Sequence, residues 1–248
     1  MPVDKERFAN ACRLSAERER SGIGMLSEKG IHNALKCYYE PDTTRHEVPI
    51  GGYVADIAGE DGIIEIQTAT FGKMKEKLTR FLEVTNVTIV YPCVVNKRVY
   101  VLDPETGEVL YSRKSPKHCT KYSLLHELWG IRELVDNERL RICIAFLDVE
   151  EYRPKQEQRG RRRGRRGPDS RVERMPTALL DELWLCCRDD YCTFLPDTLP
   201  EQFTAKDYTA ATGMRSFEGG MAVSLLCKLG MIEKVGKRGN AYLYERRI

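Results

Sequence analysis

The residues best suited to chemistry lie in one short stretch, Asp56-Ile-Ala-Gly-Glu-Asp-Gly-Ile-Ile-Glu65-Ile-Gln67. Two strand-like runs flank its turn-forming centre, which predicts a β-hairpin. Side chains alternate across a strand, so Glu65 and Gln67 share a face. With a two-residue loop, Asp56 falls opposite Glu65 or opposite Gln67, depending on which two residues form the loop, and on the same face as both. A three-residue loop would not place it there.

Two carboxylates on one sheet face, beside the carbonyl oxygen of Ile66, form an oxygen-rich site suited to Mg²⁺ or Mn²⁺. Like charges this close require a cation between them or a proton on one of them. An ion held there would lower the pKa of a bound water and stabilise negative charge that develops beside it. The alternative is that Asp56 and Glu65 belong to a solvated turn and that Gln67 is an ordinary edge residue.

Helical and strand-like patterns alternate around this hairpin. The sequence predicts helices over 4–20 and from Ser27 onward before it. After it, the sequence predicts a helix over 71–84, a buried strand over 86–95, a hairpin over 98–113, a helix over 121–131 and a strand over 140–149. Interleaved strands and helices of this kind predict an α/β domain with a mixed sheet over residues 1–152.

This arrangement resembles the active-site region of the PD-(D/E)XK nucleases, the restriction-endonuclease-like superfamily. The shared order is a helix carrying an acid, a strand with Asp56, a return strand with Glu65, a helix and a buried strand. The resemblance implies a restriction-endonuclease-like mixed sheet flanked by helices. It also implies that Asp56 and Glu65 hold the metal and that Glu28 helps through a water molecule.

The chain departs from that superfamily where Gln67 replaces the usual lysine. In some Glu-x-Gln variants a lysine on the next helix takes over the role, and Lys73 and Lys77 lie one turn apart on that predicted helix. Gln67 would then orient the attacking water, and one of the two lysines would supply the charge. Over residues 25–150 the chain also resembles an uncharacterised bacterial family that shares LSEKGIHNALK, GYVADI, EIQT and SRKSPK.

Positive charge is concentrated in one stretch of the chain. Residues 1–152 carry a net charge of −3, residues 153–167 carry +7 and residues 168–248 carry −1. A block of like charges interrupted by glycine cannot bury a core, so 153–174 is expected to be a flexible linker. Guanidinium groups match phosphate oxygens, which predicts nucleic-acid contacts there, although a soluble spacer is the alternative. The arginines concerned are Arg161, Arg162, Arg163, Arg165 and Arg166.

Residues 175–248 are expected to form a second, small domain. Helical patterns over 175–187, 203–213 and 217–232 precede a hairpin over 233–246, and this order resembles a winged helix, a small α+β fold. The resemblance implies DNA contacts at the start of the recognition helix and on the wing. They would be Arg215, Ser216, Lys228, Lys234, Lys237 and Arg238. Arg113 and Lys117, expected in a loop after the 98–113 hairpin, are further candidates for phosphate contact.

Composition excludes several classes of protein. The chain has 248 residues, 42% of them hydrophobic and 31% charged, which suits an ordinary packed core. It has no run of about 18 apolar residues that would cross a bilayer, and its charged N-terminus is unlike a signal peptide. Nine scattered cysteines indicate reduced thiols. We therefore expect a cytoplasmic globular protein with no membrane partner.

Together these features predict a Mg²⁺- or Mn²⁺-dependent deoxyribonuclease that acts on double-stranded DNA. Many nucleases of the superfamily are dimers, so a homodimer is a further expectation, although the sequence shows no dimer seam. A second hypothesis is a non-catalytic DNA-binding or regulatory protein on a degenerate nuclease fold. A third is a protein-interaction module whose basic arm binds RNA.

Overall fold

The computed structural model describes residues 3–20, 29–155 and 173–247. The α-helices within these ranges are α1 (Lys5–Arg20), α2 (Lys29–Tyr39), α3 (Lys75–Val84), α4 (Ser123–Trp129), α5 (Ala205–Thr212) and α6 (Ser216–Lys228). Short 3-10 helices cover Thr43–Arg45, Phe71–Met74 and Arg188–Phe194. In this described part of the chain, no helix has both the length and the apolar character needed to cross a membrane.

Ten strands complete the described secondary structure. They are β1 (His46–Ile50), β2 (Tyr53–Gly59), β3 (Gly62–Ile66), β4 (Val87–Leu102), β5 (Val109–Lys114), β6 (Leu140–Pro154), β7 (Glu173–Leu185), β8 (Gln202–Phe203), β9 (Ile232–Arg238) and β10 (Ala241–Arg246).

Seven of these strands form one mixed sheet in the order β1-β2-β3-β4-β6-β7, with β5 paired to β4. Strands β2 and β3 are antiparallel, whereas β3 and β4 are parallel and are joined through α3. Val87, Ile89 and Val90 at the start of β4 are fully buried, as predicted for a strand covered on both faces. The prediction of an α/β chain with a mixed sheet is confirmed, while β1 is a strand that the sequence patterns did not indicate.

The chain folds as two compact units, each built from three segments. One comprises residues 1–46, 92–119 and 145–182, and the other comprises 47–91, 120–144 and 183–248. In the first unit α1 packs against α2, with the rings of Phe8 and Tyr38 edge to face. In the second unit α4 packs against α6 and against the 3-10 helix that precedes α3.

The helix predicted over 175–187 is wrong, because Glu173–Leu185 forms strand β7 at the end of the large sheet. Its alanine and leucine residues favour a helix in isolation, but pairing with β6 decides its conformation. An ion-pair cluster also holds it: the buried Glu151 of β6 lies 2.8 Å from Lys97 of β4 and 3.1 Å from Arg174 of β7. The basic stretch between β6 and β7 is bounded by Pro154 and Glu173, and residues 156–172 lie outside the described ranges.

The C-terminal residues form two helices and a three-stranded sheet in the order β8-β10-β9. Helix α5 begins at a capping box, in which the hydroxyl of Thr204 accepts from the N–H of Asp207 and the Asp207 carboxylate accepts from the N–H of Thr204. It ends at Gly213, whose φ of +68° suits glycine. These helices and the predicted C-terminal hairpin are confirmed, and Arg238 pairs with Ala241 across its turn.

Helix α4 holds the start of the 3-10 helix Phe71–Met74, which leads into α3. The Glu127 carboxylate accepts hydrogen bonds from the backbone N–H groups of Thr70 (2.5 Å) and Phe71 (3.2 Å). Thr70 has a φ of +62°, which is unusual for a β-branched residue, and this carboxylate stabilises it. The two backbones approach so closely that a Cβ atom added to Gly130 would lie 2.6 Å from the backbone nitrogen of Gly72.

This close approach predicts opposite outcomes for two glycine substitutions. Gly130→Ala should lower the free energy of unfolding by about 1–3 kcal/mol, because its methyl group would overlap the Gly72 backbone. Gly72→Ala should be neutral or slightly stabilising, because its Cβ atom would meet Gly130 at 3.6 Å, an ordinary contact. Urea denaturation of both variants measures the difference, and equal destabilisation would contradict this packing.

Candidate active site

The hairpin between β2 and β3 has a two-residue loop, Glu60-Asp61, because Gly59 pairs with Gly62. Gly62 has a φ of +121°, and a Cβ atom there would lie 2.3 Å from the carbonyl oxygen of Asn86, so the turn requires glycine. The register continues through Ile57 and Ile64. It places Asp56 opposite Glu65, which is one of the two registers predicted.

Side-chain hydrogen bonds link the two strands at this position. The backbone N–H of Asp56 donates to Oε1 of Glu65 at 3.2 Å. The backbone N–H of Ile66 donates to Oδ2 of Asp56 at 2.8 Å. The two carboxylates therefore lie together on the strands, as the sequence predicted.

Lys77 is the lysine that reaches these carboxylates. Its Nζ lies 2.6 Å from Oε2 of Glu65, and 22% of its side chain is exposed, against 4% for Glu65. Lys73 lies in the 3-10 helix Phe71–Met74 and is exposed. Of the two predicted lysines, the structure brings Lys77 to the site.

The electrostatics of the site centre on Glu65. Its pKa is raised from 4.5 to about 7, first by burial and then by the negative charge of Asp56. The hydrogen bond and positive charge of Lys77 act in the opposite direction. Positive charge beside Glu65 therefore favours its ionised form, and burial and Asp56 favour its protonated form.

Gln67 follows directly after the end of β3. Its backbone N–H donates to the carbonyl oxygen of Val90, and its side-chain Nε2 donates to the carbonyl oxygen of Ala69 at 2.6 Å. The amide nitrogen is thus held by the adjacent loop. The predicted role of Gln67 is to orient a water molecule. This role stays a prediction, and the atom that would perform it is the amide oxygen.

The donor atoms at this site suit a hard divalent cation. Across residues 3–20, 29–155 and 173–247, no group of three or more His, Cys, Asp or Glu side chains is arranged to hold a metal ion. Mg²⁺ in proteins usually keeps several waters and is bound through only one or two carboxylates. Asp56, Glu65 and the carbonyl of Ile66 fit that pattern, whereas Glu28, the third expected acid, lies outside the described residues.

The expected phosphate-binding residues are distributed over both units. Arg113 is part of strand β5 rather than of a loop, because its segment pairs with β4, while Lys117 lies in the loop that follows. Arg215 precedes α6 with 80% of its side chain exposed, and Ser216 is the first residue of that helix. The arginines Arg161, Arg162, Arg163, Arg165 and Arg166 lie outside the described residues.

The C-terminal hairpin of β9 and β10 contains an aromatic residue that the sequence analysis missed. Nζ of Lys234 lies 4.1 Å and Nζ of Lys237 5.0 Å from the ring centre of Tyr242. Lys237 pairs directly with Tyr242 across the hairpin. A two-residue turn at Gly239-Asn240 sets this register, so recognising that turn in the sequence would have predicted the contact between Tyr242 and Lys237. Lys228 ends α6, and Arg238 lies 3.9 Å from Asp207.

Comparison with known proteins places the chain in a family. Residues 29–186 match the family described as "Domain of unknown function (DUF8091)", and because they make up more than half of the chain, the protein belongs to it. The chain is also 30% identical over 227 residues to an "Uncharacterized protein" of Treponema pallidum (strain Nichols), covering 90% of this chain and 87% of that one. No solved structure gives a significant match. The residues that match the family include Asp56, Glu65 and Lys77.

The pairing of Lys77 with Glu65 predicts a pH-dependent cost when the lysine is removed. When the pKa of a carboxyl is higher in the folded protein than in the unfolded chain, the free energy of unfolding falls as the pH rises from the unfolded pKa to the folded pKa. Removing Lys77 raises the folded-state pKa of Glu65 further, because Lys77 lowers it. Lys77→Met should therefore lower the free energy of unfolding by about 1–3 kcal/mol at pH 8 and by less at pH 5. Urea denaturation at both pH values measures this difference.

Lys73→Met is the matched control, because Lys73 is exposed. It should change stability by less than about 0.5 kcal/mol at either pH. A Lys77→Met cost that is the same at pH 5 and pH 8 would contradict the assigned ion pair.

Proposed function

We propose that this member of the DUF8091 family is a Mg²⁺-dependent endonuclease that hydrolyses phosphodiester bonds in double-stranded DNA. The observation that carries the proposal is the 2.6 Å contact between Lys77 and Glu65. It places a lysine beside paired carboxylates in a chain whose Gln67 leaves the usual lysine position without a charge. The α3 helix thereby supplies what a Glu-x-Gln variant of a PD-(D/E)XK site requires.

The local topology supports a restriction-endonuclease-like fold for this part of the chain. The antiparallel β2–β3 hairpin is followed by α3 and by β4, which is parallel to β3. This order holds Asp56 on β2, Glu65 on β3 and Lys77 on α3. The side chains of the proposed site are therefore positioned by rigid secondary structure rather than by loops.

Each residue has a distinct role in the proposed reaction. Asp56, Glu65 and the carbonyl of Ile66 would hold Mg²⁺ or Mn²⁺. The bound ion would lower the pKa of a coordinated water and stabilise the negative charge of the transition state. Lys77 lowers the pKa of the buried Glu65 carboxyl and would orient it, and its ammonium group would add positive charge beside the phosphate. Gln67 would accept a hydrogen bond from the attacking water.

The C-terminal elements would deliver the duplex to this site. Their order β8-α5-α6-β9-β10, with β10 between β8 and β9, supports a winged-helix domain. Arg215 and Ser216 at the start of α6 and the lysines around Tyr242 would then contact DNA. The arginine-rich stretch, Arg113 and Lys117 would add phosphate contacts, and Lys228 and Arg238 complete the proposed set.

The second candidate is a DNA-binding protein without catalytic activity on the same fold. The nearly complete burial of Glu65 and its pairing with Lys77 favour it, because the carboxylate already has a cationic partner. Such a protein would bind duplex DNA with a steep dependence on salt and with no requirement for a divalent ion.

Plasmid cleavage with Mg²⁺ and with Mn²⁺ distinguishes the two candidates. Asp56→Asn and Glu65→Gln should each lower the rate at least about 100-fold, because each removes a charge that the metal requires. Asp61→Asn is the matched control, since Asp61 lies in the exposed turn of the same hairpin and should not affect cleavage. Absence of cleavage with either ion, together with metal-independent binding of duplex DNA, would instead support the second candidate.

A further inference from the structure

Strand β5 is exposed along its whole length. All six of its residues are exposed, and Val109, Leu110 and Tyr111 are large apolar or aromatic side chains with 54%, 45% and 52% of their surface accessible. Among the described residues, β5 pairs only with β4. An exposed edge strand with apolar side chains is a template on which another strand can pair.

The hydrogen bonds of β5 show which backbone groups face outward. The N–H of Ser115 donates to the carbonyl oxygen of Lys97 at 2.7 Å. Hydrogen-bonded positions alternate along an antiparallel pair, so Arg113 and Tyr111, like Ser115, direct their backbone groups toward β4. Ser112, which lies between them, therefore presents its N–H and C=O to the outer edge.

The order of charges along this segment is complementary to itself. Glu105 and Glu108 precede the apolar residues, whereas Arg113, Lys114 and Lys117 follow them. When two copies of the strand run antiparallel about a two-fold axis, the acidic beginning of each lies beside the basic end of the other. This complementarity favours a second copy of the chain as the occupant of the edge.

We propose that β5 pairs antiparallel with β5 of a second copy of this chain, with Ser112 at the two-fold axis. In this register the outward backbone groups of Ser112 bond to those of its copy. Each Arg113 then lies opposite Tyr111 of the partner subunit. These are non-hydrogen-bonded positions, where side chains approach most closely, and a guanidinium group stacks well on a tyrosine ring.

This interface is compatible with the phosphate contact proposed for Arg113. A guanidinium group that stacks through its face keeps N–H donors at its edge. The chain's own arginine-rich residues 159–166 are poorer occupants of the edge, because Arg113 and Lys114 would repel them.

The mass of the full-length protein in solution tests the proposal without DNA or metal. Light scattering and sedimentation equilibrium should show a dimer. Ser112→Pro should raise the dimer dissociation constant at least about tenfold, because it removes the outward N–H and leaves the backbone hydrogen bonds to β4 in place. It also removes the exposed 3.3 Å hydrogen bond from Arg98 to the Ser112 hydroxyl, so the charge variants serve as the independent check. Arg113→Glu should do the same, and Arg80→Glu, with the same charge change at an exposed side chain of α3, should leave the dimer intact.

A charge-exchange experiment tests the register. Tyr111→Arg alone should weaken the dimer, because it places a positive charge opposite Arg113. Tyr111→Arg combined with Arg113→Glu should restore it, because opposite charges then face each other across the axis. Circular dichroism checks that each variant folds. If Ser112→Pro does not fold, the dimer dissociation constants of the Arg113→Glu and Tyr111→Arg variants test the proposal. A monomer at every soluble concentration, or a dimer that persists in Arg113→Glu, would overturn the proposal.

Discussion

The buried carboxylate of Glu65 is the constraint on which the proposed site depends. A buried charge is costly unless it is paired and hydrogen-bonded, and Glu65 accepts from the N–H of Asp56 and from Lys77. Lys77 reaches it because α3 has a fixed start: Glu127 of α4 binds the two N–H groups that precede the helix, and Gly130 allows the close approach of the backbones. Glu127 thus helps to position a site whose carboxylates lie 62 and 71 residues earlier in the chain.

Much of the hairpin was predictable because its determinants are local. Strand alternation and a two-residue turn place Asp56 opposite Glu65 without information from the rest of the chain. The choice between the two lysines was not predictable in the same way. A 3-10 helix over Phe71–Met74 precedes α3, so Lys73 and Lys77 do not lie on one continuous α-helix. The change in helical geometry separates two residues that simple 3.6-residue spacing would place together.

The features that sequence patterns did not indicate depend on partners distant in the chain. Strand β7 is rich in residues that favour a helix, yet Arg174 pairs with the buried Glu151 and the segment joins the large sheet. No local sequence pattern marks Glu127, because its role is to accept hydrogen bonds from residues more than fifty positions earlier in the chain. The C-terminal residues from 183 onward belong to the same compact unit as Asp56, Glu65 and α4. Charge and secondary-structure patterns instead predict a boundary at 153–174, because they do not report contacts such as those between α4 and α6.

Calorimetric titration with Mn²⁺ tests the central claim most directly, because it requires neither a substrate nor a known biological role. The account predicts that the wild-type protein binds the ion at a site that requires both carboxylates. Asp56→Asn and Glu65→Gln should each weaken binding at least about tenfold, while Asp61→Asn in the adjacent turn should bind as the wild type does. Equal affinity of Glu65→Gln and the wild type would contradict the assignment of this carboxylate pair as a metal site.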